Sequence, residues 1–425
     1  MVRGGNELTE RVILVGVETD ESKHNYLESM HELAGLTKTA HGEIVHSLTQ
    51  KRPKIDRQTI IGKGKVQELA ELVDAHEAEL VIFNHALSPR QSQTIEAMIG
   101  VPVIDRIQLI LDIFAQRARS KEGKLQVELA QLDYLLPRLM GQGQSLSRLG
   151  GGIGTRGPGE TKLETDRRHI RRRVSAIKKE LKEVEAHRER SRQKRQQSSV
   201  FQMGLIGYTN AGKSTILNLL TNADTYSEDQ LFATLDPLTK RWHLPQGMET
   251  TITDTVGFIQ DLPTQLVDAF HSTLEESKGM DLLLHIVDAS SEDRQQQEKT
   301  VIELLKELEM DDIPILTIYN KADRIDEFSF APTLFPSVLI SAKSLKGKDL
   351  LADAIKQEIM NLLEPYLITL GADEGQALSE MKRETLVLSE DFDEEQEKYI
   401  VRGFAKKKSL WIRRMEDELD NETGA

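Results

Sequence analysis

The chain has 425 residues, with 55 Lys and Arg against 69 Asp and Glu for a formal charge of -14, 38% hydrophobic residues and no cysteine. At roughly 150 residues per domain this length predicts about three domains. The composition excludes a disordered chain, and the missing cysteine excludes disulfides, thiolate metal sites and cysteine nucleophiles. The N-terminus lacks a basic region followed by a long apolar run, and no stretch approaches 18 uninterrupted apolar residues. A cytoplasmic protein with no membrane contact is therefore expected.

In chain order, the run RVILVGVE from Arg11 reads as a strand, followed by a helix over SKHNYLESMHELAGL with Ser22 as its cap. Further strands are predicted at EIVHSL, ELVIFNHA and VPVIDR, separated by the helical stretches KVQELAELVDAHE and RQSQTIEAMIG. This alternation predicts a small α/β domain with a mostly parallel sheet over residues 1–106. From Ile107 to Met140 the pattern is helical, with Leu125, Leu129, Leu132 and Leu136 on one face. A second helix starts near Leu163, where Leu163, Ile170, Val174, Ile177, Leu181 and Val184 follow heptad spacing. The two predict an antiparallel hairpin over 107–198, with its tip at residues 141–160, which hold eight glycines and no acid before Glu160. Although the chain is acidic, residues 160–196 carry 14 Lys and Arg against 7 Asp and Glu. From Val200 a new α/β alternation gives six predicted strands, VFQMGLIG, RWHLP, ETTITDT, DLLLHIVD, PILTIYN and SVLIS, a doubly wound sheet over 199–367. Residues 368–425 read as a small α+β appendage, with a frayed acidic end beyond Met415.

The chemistry is concentrated in the doubly wound domain. Gly207-Tyr208-Thr209-Asn210-Ala211-Gly212-Lys213-Ser214, continuing into Thr215, fits G-x-x-x-x-G-K-[ST] between a strand and a helix. Such a loop turns backbone N–H groups toward phosphate oxygens at a positive helix N-terminus. Lys213 then reaches the β and γ phosphates, and the Ser214 hydroxyl binds Mg²⁺. Asp254-Thr255-Val256-Gly257 ends the strand ETTITDT, where Asp254 can hold Mg²⁺ through water and the Gly257 N–H can meet the γ-phosphate. Asn320-Lys321-Ala322-Asp323 ends another strand, and the Asp323 carboxylate is suited to accept both guanine N1–H and N2–H. Ser341-Ala342-Lys343 follows the next strand and would bring a backbone N–H near guanine O6. Together these signals predict GTP and GDP as the bound nucleotides.

These residues resemble the translation-factor-like branch of the P-loop GTPases. The resemblance assigns Phe232-Ala233-Thr234-Leu235-Asp236 to switch I, with Thr234 as the residue that meets Mg²⁺ and the γ-phosphate in the GTP state. Lys213, Thr234, Gly257 and Asn210 are accordingly the candidate catalytic residues, and Ser214, Thr234 and Asp254 the candidate metal ligands. Where many GTPases carry a water-orienting glutamine after D-x-x-G, this chain has Phe258, which predicts slow intrinsic hydrolysis. Asn210 stands where potassium-stimulated GTPases place an ion-binding asparagine, so K⁺ is a candidate second cation.

GGIGTRGPGETKLETDRR (151–168), LDIFAQRARSKEGKLQVELAQL (111–132) and IGKGK (61–65) narrow the resemblance to the HflX family of GTPases. That family implies a factor that binds the large (50S) ribosomal subunit. Its hairpin and glycine tip lie against ribosomal RNA near the peptidyl-transferase centre, and several members split ribosomes under stress. A tip bearing Arg148 and Arg156, without acids or bulk, suits close approach to packed phosphates. Ribosome splitting or recycling, ribosome biogenesis and rescue of stalled ribosomes need similar parts, and the chain is expected to act as a monomer. Two other readings stand: an RNA-remodelling NTPase stimulated by naked RNA, and a protein-protein signalling switch whose basic helix is a coiled coil. Gly152 to Gly157 also spells G-x-G-x-x-G but follows no strand, which argues against a dinucleotide site. IGKGK and VIDR are charged turns where a second nucleotide site would lie, though without P-loop spacing.

Overall fold

The computed structural model describes residues 9–20, 25–147, 158–196, 200–221, 231–232, 237–255, 257–259, 276–326 and 328–423. The chain divides into two compact units, the first reaching to His187 and including Leu231 and Phe232, the second beginning at Arg188.

The first unit opens with β1 (Arg11–Glu18), α1 (Tyr26–Thr39), β2 (Glu43–Lys51), α2 (Lys63–His76), β3 (Leu80–Phe83), α3 (Pro89–Ile99) and β4 (Val103–Asp105). The strands form a four-stranded sheet in the order β2-β1-β3-β4, every pair parallel. β1 and β3 are continuous apolar runs because both faces are covered by crossover helices. Ile13, Val15, Val81 and Phe83 pack with Val66, Leu69 and Val73 of α2 and with Ile95 and Ile99 of α3. Local chemistry sets the helix ends. Ser88 caps α3 in a reciprocal capping box with Gln91, and Pro89 occupies the first turn. At α1 the N-cap is Asn25 rather than Ser22, which lies outside the described residues.

The helical segment of this unit is α4 (Arg106–Arg117), α5 (Lys121–Ser147) and α6 (Pro158–Gln196). One helix was expected over 107–140, yet the chain breaks at Ala118, whose extended backbone ends α4. Arg173 of α6 forks onto the Glu128 carboxylate of α5 at 2.6 Å, and Lys121 reaches Glu180 at 3.6 Å. The rising numbers on one helix meet falling numbers on the other, so the pair is antiparallel. Ile177 is fully buried in their seam, and Ile170, Val174, Leu181 and Val184 are half-buried. Residues 141–147 and 158–160 of the glycine-rich stretch are helical, and the remainder of the expected tip, with Arg148 and Arg156, lies outside the described residues.

The second unit contains β5 (Phe201–Gly207), α7 (Lys213–Thr221), β6 (Leu238–His243), β7 (Glu249–Asp254), β8 (Leu282–Asp288), α8 (Arg294–Glu307), β9 (Ile315–Asn320), β10 (Ser337–Leu339) and α9 (Leu345–Leu362). Its six strands lie in the order β10-β9-β8-β5-β7-β6, parallel except for β6, which joins β7 antiparallel. Met203, Leu205, Leu284, Ile286 and Ile318 pack against Ile216 and Leu217 of α7 and Leu351 and Ile355 of α9.

β11 (Glu364–Gly371), α10 (Gly375–Glu384), β12 (Leu386–Asp393), β13 (Lys398–Ala405) and α11 (Leu410–Thr423) complete the unit as an antiparallel sheet in the order β11-β13-β12. Tyr366, Ile368, Leu370 and Val401 pack on Met381, Trp411 and Ile412. Two expectations change here. The end of the predicted nucleotide domain is the first strand of this sheet, and the acidic tail continues a helix whose first turn buries Trp411 and Ile412. Lys406 fastens the appendage, its Nζ donating to the Val200 carbonyl at 2.8 Å and pairing with Asp281 at 2.7 Å.

Asp105 at the end of β4 gathers the first unit. Fully buried, it accepts from the Leu87 and Gln108 N–H groups at 2.9 Å and the Tyr134 hydroxyl at 2.8 Å, and pairs with Arg138 at 3.0 Å. Burial and the Asp105 charge push the Tyr134 phenol far up, so it remains a donor. Asp105→Ala removes the shared acceptor of four donors, the Leu87 N–H and Tyr134 hydroxyl among them buried, and is expected to destabilise the protein by about 3–5 kcal/mol. Urea unfolding followed by circular dichroism checks this; a shift below about 1 kcal/mol contradicts it.

Candidate nucleotide-binding site

The site lies at the carboxyl ends of β5, β7, β8, β9 and β10, where loops leave a parallel sheet. Gly207, the last residue of β5, and Gly212 adopt φ values of +143° and +103°, and Asn210 between them adopts +61°. A side chain at Gly212 would run into the Asn320 amide, so glycine is required by close approach as well as by φ. The loop folds back, and α7 begins at Lys213.

Lys213 is buried, and its ammonium donates to the Gly207 and Tyr208 carbonyls at 3.0 and 2.8 Å. Burial lowers its pKa to about 8, with the Asp254 carboxylate acting in the opposite direction. The Ser214 hydroxyl donates to Asp254 Oδ2 at 2.8 Å, which brings the two described candidate metal ligands side by side. Asp254 is itself buried at the end of β7. The next residue, Thr255, donates its hydroxyl to the Leu205 carbonyl at 2.6 Å and locks the exit of β7 against β5. A Cβ on Gly257 would stand 2.8 Å from Lys213 Nζ, so this backbone passes directly beside the Lys213 ammonium.

Phe258 has a structural role. Its ring is buried, its N–H donates to the Gly207 carbonyl at 3.1 Å, and its carbonyl accepts from the Thr209 N–H at 2.7 Å. The residue replacing the usual glutamine thus splices the D-x-x-G turn onto the P-loop and offers no polar atom to a water. Beneath the loop, His285 of β8 is buried, and burial together with the Lys213 charge pushes its imidazole down to about 4. His285 therefore adds no second positive charge near Lys213 at neutral pH.

On the base side, the buried Asn320 carboxamide donates to the Ala211 carbonyl at 2.9 Å and accepts from the Ala342 N–H at 3.0 Å. Lys321 adopts a left-handed φ of +64°, and its ammonium pairs with Asp288 at 2.6 Å. Ala322 is buried in the short turn Ala322–Arg324. The Ser341 hydroxyl donates to Asp323 at 2.6 Å and, with the Lys343 and Arg324 charges, holds that carboxyl below its ordinary range. Asp323 is therefore an ionised acceptor at neutral pH, as recognition of two guanine N–H groups requires.

Sequence reasoning missed Asp288. It closes β8 at the carboxyl edge of a parallel strand, a position where a lone carboxylate signals a site residue. Leu231 and Phe232 of the switch I segment are described; Ala233, Thr234, Leu235 and Asp236, like Val256, lie outside the described residues.

Residues 27–115 match the family described as GTP-binding GTPase N-terminal, 117–195 the GTP-binding GTPase Middle Region, and 202–321 the 50S ribosome-binding GTPase family. A GTPase HflX of Alkalihalophilus pseudofirmus is 52% identical over 416 residues, 97% of this chain and 98% of that protein. The GTPase HflX of Caldanaerobacter subterraneus is 48% identical over 91% of this chain and 89% of its own length. A GTP-binding protein of the archaeon Sulfolobus solfataricus, solved in complex with GDP, is 26% identical over 82% of this chain and 98% of its own, at a TM-score of 0.46. With such identity over nearly its whole length, a P-loop domain and a preceding N-terminal and middle region, the chain belongs to the HflX family and is a GTP hydrolase.

Proposed function

We propose that this GTPase is a cytoplasmic, monomeric factor of the large (50S) ribosomal subunit that uses its nucleotide state as a switch and its helical hairpin as an RNA-docking arm, in ribosome splitting, recycling or assembly. The observation that carries the reading is the outward face of α6. Arg168, Arg171, Arg172, Lys178, Lys179 and Lys182 are all exposed there, while Ile177 and its neighbours face α5. Their spacing of three, four and seven residues draws one basic stripe along the helix. Such a stripe fits phosphate backbones, and the absence of interleaved aromatics favours contact with RNA shape over base stacking. The description 50S ribosome-binding GTPase of the family matching residues 202–321 points the same way.

The proposed residue roles follow from the geometry. The P-loop N–H groups and Lys213 hold phosphates, Asp323 and the Ala342 backbone select guanine, and Gly257 reports the γ-phosphate. The Ser214 hydroxyl and Asp254 carboxylate are hard oxygen donors 2.8 Å apart, a donor set that suits Mg²⁺, with Thr234 as the third proposed ligand. Bound there, Mg²⁺ would neutralise developing phosphate charge. The domains are read as 1–106, 107–198, 199–367 and 368–425, with the last boundary moved back to Glu364, where β11 begins.

Because Phe258 has no group to orient water, basal turnover is slow. Asn210, exposed and left-handed, is the proposed K⁺ contact. Faster hydrolysis in KCl than in NaCl at equal ionic strength is expected; equal rates remove K⁺ from the account. Lys213 carries its charge below about pH 8 and loses it above. Phosphate binding needs the charged form, so the bound state takes up a proton at higher pH. GDP affinity is therefore expected to be flat from pH 6 to about 7.5 and to fall by up to about tenfold per unit above 8. A flat titration to pH 9.5 would contradict this. For the partner, co-sedimentation with purified large subunits should be strong with a non-hydrolysable GTP analogue and weak with GDP or an ATP analogue. Binding to naked RNA but not to subunits would favour an RNA-remodelling role, and no binding to either would favour a protein-protein switch.

A further inference from the structure

Leu231 and Phe232, at the start of the switch I segment, belong by their contacts to the first compact unit. Phe232 is buried, and its ring stands edge-to-face on Phe114 of α4, centroids 4.5 Å apart at 72°. The neighbouring Leu231 N–H donates to the Thr39 hydroxyl at the end of α1 at 3.2 Å, and that hydroxyl in turn donates to the Gly35 carbonyl at 2.9 Å. The Leu231 side chain lies over Gly35, where an added Cβ would be 3.0 Å from Leu231 Cδ1. Phe232 also adopts a φ of +57°, an unfavourable conformation for a bulky residue that persists only where surroundings hold it. A buried aromatic ring, a backbone hydrogen bond and a close-packed leucine thus converge on two successive residues, immediately ahead of Ala233 and Thr234.

We propose that Phe114 and Thr39 are positioning residues for switch I: the α1/α4 surface grips Leu231 and Phe232, so that the place of Thr234 and the packing of this surface form one coupled equilibrium. A loop fastened two residues from its ligand-contacting threonine cannot change state without loading or releasing the fastening. By linkage, the GTP and GDP forms then differ in how strongly they favour the grip, and the grip alters the preference between the two nucleotides. This inference rests on reading Phe232–Asp236 as switch I.

The test measures equilibrium affinities for a non-hydrolysable GTP analogue and for GDP in the full chain, and takes their ratio. Phe114→Ala and Thr39→Val act on different helices, and neither residue belongs to the nucleotide-binding loops. Each is expected to shift the ratio by about fivefold or more, in the same direction, with Phe114→Leu in between. A purely structural loss would lower the melting temperature and leave the ratio unchanged. Thr39→Val is nearly isosteric, so it keeps the test open if Phe114→Ala does not fold. If Thr234→Ala shifts the ratio while Phe114→Ala and Thr39→Val do not, the coupling is overturned and the switch I assignment survives. If none of the three shifts it, the assignment fails, and the proposal with it.

Discussion

One buried carboxamide holds the nucleotide-binding loops in register. Asn320 sits at the end of β9 and spends its donor on the Ala211 carbonyl of the P-loop and its acceptor on the Ala342 N–H of the base-binding loop. Three separate loops meet on this one side chain, and Gly212 lacks a Cβ because the Asn320 amide occupies that space. Each of these buried backbone groups would cost about 1–3 kcal/mol if left without a partner. The proposed phosphate end and the proposed guanine end of the site are therefore tied to one side chain, above the apolar sheet.

Charge is arranged around that site with little redundancy. Lys213 is desolvated enough that its pKa falls to about 8, with the Asp254 carboxylate acting to keep it a cation. His285 directly below stays neutral, so the ammonium is not opposed by a second charge. The Phe258 backbone splices D-x-x-G to the P-loop, and its buried ring supplies no water-orienting group.

Much of this was legible in the amino-acid sequence because the signals are local. The P-loop spelling, the buried runs of β5, β8 and β9 and the turns Asp254–Gly257 and Asn320–Asp323 are each set by a few neighbouring residues. Features set by distant partners were not legible. β6 reads as a strand, but nothing within RWHLP says that it pairs antiparallel with β7. Pro137, Gly141 and Gly143 argue against helix, yet α5 continues to Ser147. The boundary read between Leu367 and Ile368 falls inside EPYLITLG, which as one strand founds the C-terminal sheet through its pairing with β13. Asp105 and Phe232 look like ordinary residues until partners 29 and 118 positions away are brought to them.

The central claim, that Asn320 couples the two ends of the site, is tested most directly by calorimetric titration of Asn320→Ala with GDP and with inorganic pyrophosphate. If the carboxamide holds both loops, both ligands lose affinity, by about tenfold or more for GDP, although pyrophosphate never reaches the base pocket. Pyrophosphate binding unchanged beside a weakened GDP would contradict the account, and would reduce Asn320 to a contact on the guanine side alone.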